Sequence, residues 1–250
     1  MGERLYIHRH SVVHSLPSHL KIIAVLFFVL VVVSTPITYW PAFVIFLTLV
    51  VSAAIAGKIA IPTLAKRALI EIPFIFFAVL MPFFGTGERF ELGPLNLYRD
   101  GLLAGLSIVA KGTLGVLSAV ILSTTTTARE ILRGLERLRL PTIMVQIASF
   151  MLRYVNVISD EMERMKIARE SRGFDATGVK HWKVIATSAA ALFIRSYERG
   201  ERVHLAMLSR GFDGELPHTE AKSVGTRAWL IALTIPTFAL ITSLFFKMIG

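Results

Sequence analysis

The chain of 250 residues contains no cysteine. Disulfides, thiolate nucleophiles and cysteine-based metal sites are excluded with it, and the redox compartment leaves no trace. Acidic residues are sparse, 17 Asp and Glu against 27 Lys and Arg, for a formal net charge of +10. Several signatures of chemistry are also missing. No GxxxxGK[ST] run occurs, and the nearest stretch, Gly173 to Lys180, lacks both the Gly-Lys pair and the hydroxyl residue. The chain is therefore not expected to hold ATP in a phosphate-cradling loop. There is no HExxH and no GxSxG. No catalytic residue and no metal site is assigned.

Charge of either sign is absent from Ile22 to Gly57. The chain is 54% hydrophobic with a mean hydropathy of +0.64, more apolar than an ordinary soluble domain. The basic balance is read as membrane-protein loop charge facing anionic lipid rather than as a nucleic-acid surface. No cleavable signal peptide is evident. A span needs about 20 apolar residues, so Ile22–Gly57 is too long for one crossing. Pro36 and Pro41 bracket Ile37-Thr38-Tyr39-Trp40, a helix break with interface-seeking aromatics. Two spans joined by a tight turn are expected here. Ala68–Gly87 gives a third, interrupted by Glu71, Pro73 and Pro82; Gly101 to about Ser123 a fourth; Ala228–Phe246 a last. The uncharged runs Leu140–Leu152 and Val184–Ile194 are read as too short to cross, with a sixth span around the first left open.

Loop charges set the orientation. Arg4, Arg9 and Lys21 precede the first span against Glu3, and Lys58, Lys66 and Arg67 follow the second with no acid. The loop after the third is balanced, and Arg129, Arg133, Arg137 and Arg139 follow the fourth. The N-terminus is expected inside the cell. The expected fold is an all-α integral membrane protein of five or six transmembrane helices. Residues 1–123 form the first four spans, 124–226 a cytoplasmic region, and 227–250 the last span.

The cytoplasmic region repeats itself. Residues Glu163–Asp175 and Glu201–Asp213 match at eight of thirteen positions, and Arg172 and Arg210 stand 38 residues apart. Each copy reads as a helix end. Gly173 and Gly211 fall where a left-handed cap belongs, and the preceding arginines sit at the negative end of the dipole. Ala168 with Ser171, and Ala206 with Ser209, place small residues on one face. Two copies are too few for a solenoid. A surface presented twice suits a dimeric partner, and an arginine beside a small-residue face suits a groove lined by carboxylates. Both ends are expected to meet one partner surface.

These residues resemble the transmembrane (T) component of energy-coupling factor (ECF) transporters, cobalt class, the CbiQ-type subunits. The stretch from Phe193 through Arg202 to Gly214 carries the closest likeness. Leu16-Pro17-Ser18-His19-Leu20-Lys21 is similar to the family's entry to the first span, with Ser18-His19 where an arginine is frequent. Ser123-Thr124-Thr125 is similar to its Thr-Thr-x-Pro segment, with Thr127 where proline is usual. Leu152-Arg153-Tyr154 resembles its aromatic-Arg-Tyr stretch. The resemblance implies a multi-pass subunit of a prokaryotic plasma membrane transporter. It implies a dimer of ATP-binding-cassette ATPases docked at Ala168, Ser171, Arg172, Gly173, Ala206, Ser209, Arg210 and Gly211. It further implies a separate solute-binding (S) subunit, ATP on the partners and no cofactor on this chain. Cobalt or nickel would be the solute, feeding cobalamin biosynthesis. Biotin or another vitamin is the alternative, and a membrane-embedded enzyme a remote one.

Three further features stand apart from the repeat. His8, His10, His14 and His19 cluster before the first span, where a non-ligand interfacial role is favoured although imidazole binds nickel and cobalt. Glu71 and Lys111 are intramembrane charges, which need partners. They are candidates to pair with each other, with Lys66 and Arg67 as other partners for Glu71.

Overall fold

A computed structural model describes residues 11–84, 89–92, 95–174, 181–214 and 225–249. It divides into two compact units, one within residues 2–138 and 223–250, the other within 139–222.

The first unit is the membrane bundle. A short helix α1 (Val12–Ser15) leads to α2 (Ser18–Ser34) and α3 (Trp40–Ala56). The charge-free run thus breaks into two helices across Thr35–Tyr39, as its prolines demand. Pro41 sits in the first turn of α3, where a missing N–H costs nothing. The third expected span is a composite: α4 (Ile61–Ala68), a 3-10 turn over Leu69–Glu71, then α5 (Ile72–Phe84). α6 (Arg99–Thr125), α7 (Ala128–Arg137) and, after the second unit, α10 (Thr226–Ile249) complete it. Between α5 and α6 the sequence suggests only a loop. The chain there forms an antiparallel pair, β1 (Arg89–Leu92) and β2 (Leu95–Tyr98), with Arg89 opposite Tyr98 and Leu92 opposite Leu95. This small hairpin leaves the all-α character of the bundle intact.

α2 packs on α6, α7 and α10, and α3 on α6 and α10. The core holds Phe28, Val32, Phe46, Leu114, Ile121 and Ala239, and Phe46 meets Phe28 and Phe43 edge-on at ring centroid distances of 6.1 and 5.8 Å. The large apolar side chains left on the outside, such as Leu30, Phe76 and Leu230, have lipid as their natural solvent. α5 and α6 approach at backbone distance. A Cβ built at Gly101 would lie 2.4 Å from the Met81 carbonyl oxygen, and one at Gly105 2.5 Å from that of Ala78. Gly101 and Gly105 form a GxxxG pair, which lets helices touch where lipid supplies no hydrophobic drive.

The second unit contains α8 (Thr142–Glu170) and α9 (Trp182–Leu208). Four helical segments of the described residues are long and apolar enough to cross a membrane: Ile61–Phe84, α6, α8 and α10; α2 and α3 are shorter apolar helices. α8 thereby meets the length and composition of the sixth span that the sequence left open. The short uncharged run Leu140–Leu152 is its first half, and the helix continues without interruption into the repeat.

Candidate functional site

Each repeat copy closes a long helix, and the two closures are the same motif. In the first, Gly173 has φ +75°, its N–H donates to the Glu170 carbonyl, and Phe174 N–H donates to that of Arg169 at 3.1 Å. In the second, Gly211 has φ +82°, its N–H donates to Leu208, and Phe212 N–H donates to Met207 at 3.1 Å. Both are Schellman caps, with a glycine in the left-handed region and the paired bonds that satisfy the last free carbonyls. Beyond the left-handed φ, a Cβ at either glycine would meet nothing within 4 Å. The outer face of each cap is open.

Ala168, Ser171, Arg172 and Gly173 are all exposed, as are Ala206, Ser209, Arg210 and Gly211. Among the described residues the guanidinium groups of Arg172 and Arg210 make no hydrogen bond or ion pair. One turn before each motif an aliphatic side chain is also bare, Ile167 in the first copy and Leu205 in the second. Each helix end thus carries an uncommitted cation beside an exposed aliphatic side chain. The neighbouring charges are spent differently: Lys166 pairs with Glu163 and Glu170, and Arg202 with Glu198, all exposed pairs of small energetic weight.

α8 and α9 run antiparallel. Arg195 pairs with Glu161, Arg169 donates to Ser188 at 2.7 Å, and Gln146 Nε2 donates to the Gly214 carbonyl at 3.1 Å. Partners fall along α9 as they rise along α8. The two caps therefore lie at opposite ends of the pair, not together. About 25 residues of α9 separate them, roughly 40 Å of helix at ~1.5 Å per residue. Two like ends on antiparallel helices are related by an approximate two-fold axis. No residue of α9 is fully buried within the described residues.

The family model whose description is cobalt transport protein, CbiQ, matches residues 9–220. The chain belongs to the CbiQ family. An uncharacterised protein of Methanocaldococcus jannaschii is 30% identical over 208 residues, 79% of this chain and 75% of that one. The energy-coupling factor transporter transmembrane protein EcfT of Bacillus subtilis is 26% identical over 224 residues, 84% of this chain and 83% of that one. The cobalt transport protein CbiQ of Rhodobacter capsulatus is 27% identical over 155 residues, 58% of this chain and 64% of that one. The chain is thus a multi-pass transmembrane component of the ECF type.

Two stretches that carried the CbiQ likeness meet in the bundle. Lys21, buried in the first turns of α2, donates to the Thr125 carbonyl at 2.9 Å, to Thr126 Oγ1 at 3.3 Å and to the His14 carbonyl at 3.3 Å. The entry lysine is therefore the tie between the base of α2 and the corner from α6 to α7. α7 then lies against that base. A Cβ at Gly134 would fall 2.9 Å from Ser18 Oγ and 2.9 Å from Ile22 Cδ1. Thr127, where the family has proline, caps α7 in a capping box: its hydroxyl accepts from Glu130 N–H, and Glu130 accepts from Thr127 N–H at 2.9 Å. Its φ of −70° is the value a proline ring imposes, so both residues suit the same backbone.

The intramembrane charges do not pair with each other. Thr113 donates to Glu71 Oε1 at 3.1 Å, and Lys111 donates to the Val33 carbonyl at 2.8 Å. Lys111 thus satisfies one of the free carbonyls at the negative end of α2. Gly112 leaves the space the Glu71 carboxylate fills, since a Cβ there would be 2.5 Å from Oε1. Of the histidines, His14 Nδ1 lies 2.8 Å from Ser11 Oγ and His19 Nδ1 lies 3.4 Å from Arg137. His8 and His10 are outside the described residues. Among the described residues no three His, Asp or Glu side chains converge in a way that could hold a metal ion.

Proposed function

We propose that this chain is the non-catalytic coupling subunit of an ATP-driven uptake transporter for cobalt or nickel ions, set in a prokaryotic plasma membrane with its N-terminus inside. Two ATP-binding-cassette ATPases dock on its two caps, one on each, through Arg172 and Arg210 with Ala168, Ser171, Gly173, Ala206, Ser209 and Gly211 as the close-approach faces. A separate solute-binding subunit carries the ion. ATP is held by the partners, and this chain holds no cofactor.

The observation that carries the reading is the pair of identical, exposed caps with uncommitted arginines at the two ends of an antiparallel helix pair. An approximate two-fold arrangement matches a dimer, whose two equivalent grooves face two equivalent ends. When ATP closes such a dimer the two docks are pushed relative to each other. α8 and α9 are tied through Glu161–Arg195 and Arg169–Ser188, so the pair responds as levers about that tie. The names of the relatives, cobalt transport protein and energy-coupling factor transporter transmembrane protein, support the same assignment.

The test is co-expression with the ATPases and solute-binding proteins encoded near this chain, measuring co-purification and ATP-dependent uptake of labelled cobalt, nickel and biotin. Arg172→Ala with Arg210→Ala is expected to abolish uptake. Losing a desolvated charge-assisted contact costs about 2–5 kcal/mol, at least roughly 30-fold in affinity per dock, and single changes are partly masked because the other dock holds the partner close. Undiminished ATPase retention in the double variant would remove the docking assignment. Uptake of biotin but not metal would replace the solute.

A further inference from the structure

We propose that the base of α2 and α7 is a binding site for an anionic phospholipid, with the headgroup among arginines and one acyl chain inside the bundle. Two cavities of the membrane unit meet there. One, of about 260 Å³, is polar and lined by His14, Ser18, Lys21, Glu130, Arg133 and Arg137 among others. The other, of about 230 Å³, is almost wholly apolar and lined by Ala24, Phe28, Ala53, Ile121 and Pro236 among others. A charged pocket side by side with a greasy one, with Leu16 and Lys21 in both walls, suits a lipid rather than a free anion, which has no use for the second cavity.

The charges in the polar part favour an anion. Lys21, Arg133 and Arg137 outweigh the one carboxylate, Glu130, which is already engaged with the α7 N-cap. Lys21 spends its three donors on Thr125, Thr126 and His14, so it contributes charge and an apolar stem rather than direct contacts. The direct donors are the arginines. Among the described residues Arg133 makes no hydrogen bond or ion pair, and Arg137 has the His19 ring, at 3.4 Å, as its one hydrogen-bond partner. Arg129, Arg133 and Arg137 recur every fourth residue of α7, a basic stripe on a strongly amphipathic helix, the pattern of helices that lie in the headgroup layer. α2 begins in the same pocket with no side-chain cap and no acid in its first turn. The inference rests on the orientation proposed above, which turns this pocket to the anionic cytoplasmic leaflet.

The test uses the full chain purified in neutral detergent and titrated with phosphatidylglycerol or phosphatidylcholine, with bound lipid read by native mass spectrometry. Phosphatidylglycerol is expected to bind at least about tenfold more tightly, because the arginines meet net negative charge. Arg133→Gln with Arg137→Gln should weaken it about fivefold for each arginine, whereas Lys166→Gln with Lys183→Gln, an equal charge change on the other unit, should leave it unchanged. Ala53→Leu, which fills the apolar cavity, should weaken phosphatidylglycerol with the arginines intact. Glycerol phosphate at millimolar concentration should not compete. Equal binding of the two lipids, full binding by the arginine double variant, indifference to Ala53→Leu, or displacement by glycerol phosphate would each overturn the proposal. The readout needs neither ATPases nor transport, so it fails or succeeds apart from the coupling role, and the orientation is checked separately by labelling single cysteines at Lys183 and Gly250 in intact cells.

Discussion

Replacing Lys21 with methionine removes an ammonium that three acceptors share. The residue is 7% exposed, and its Nζ reaches Thr125 O at 2.9 Å and both Thr126 Oγ1 and His14 O at 3.3 Å. Methionine keeps the stem and supplies no donor. A buried polar group that loses its partner costs about 1–3 kcal/mol. His14 is only half-buried, so the loss falls chiefly on the Thr125 carbonyl and the Thr126 hydroxyl oxygen, both in residues that are 2% exposed. Against this, the variant no longer desolvates a charge, which costs several kcal/mol for a buried ion and here is largely offset by the three bonds. A net loss of about 1–3 kcal/mol is expected, lowering Tm by roughly 2–4 °C per kcal/mol at this chain length. Thermal unfolding in micelles measures it. Thr126→Val alone and combined with Lys21→Met gives the coupling, expected at about 0.5 kcal/mol or more for side chains in direct contact. Equal melting of Lys21→Met and parent, or additivity in the double variant, would refute the claim that this lysine ties α2 to the corner of α6 and α7.

Two further substitutions test the packing. Gly105→Val should destabilise the bundle by about 1–3 kcal/mol, because the new Cβ would sit 2.5 Å from the Ala78 carbonyl oxygen; a parent-like denaturation curve would contradict the close α5–α6 contact. Thr127→Ala should cost about 0.5–2 kcal/mol through the lost hydroxyl cap, whereas Thr127→Pro should keep the backbone at its φ of −70° and lose the N–H to Glu130 as well as that hydroxyl. Calorimetry that ranked proline below alanine would show that the donor matters more than the φ.

Most of the apolar helices were legible in the sequence because lipid forbids charge, with Pro36 and Pro41 marking the break between α2 and α3; α8 was not, because its uncharged run Leu140–Leu152 reads as too short until the helix is seen to continue to Glu170. The caps were legible because only glycine takes the left-handed φ cheaply, and Gly173 and Gly211 both do. What escaped needed partners far along the chain. Lys21 reads as one more basic residue before a span until Thr125 and Thr126 arrive 104 and 105 residues later. Lys111 reads as a mate for Glu71 until the free carbonyl of Val33 proves nearer. The Gly101–Gly105 pair was in plain view as GxxxG, and the hairpin was signalled by alternating Phe90, Leu92, Leu95 and Leu97 around Gly93-Pro94. The sequence suggests that both repeat ends face one partner surface; the antiparallel course of α8 and α9 adds that they stand at opposite ends of the pair, a spacing that pattern alone does not encode.

Because the chain has no cysteine, site-directed cross-linking bears on the coupling role most directly. Ile167→Cys and Leu205→Cys lie one turn before the two arginines, at matched positions of the repeat and exposed in both copies. In the assembled transporter each single variant should cross-link to one ATPase subunit, and the double variant should yield one chain bound to two ATPases. Failure of both to cross-link, or a double variant that never captures more than one ATPase, would contradict the two-dock account.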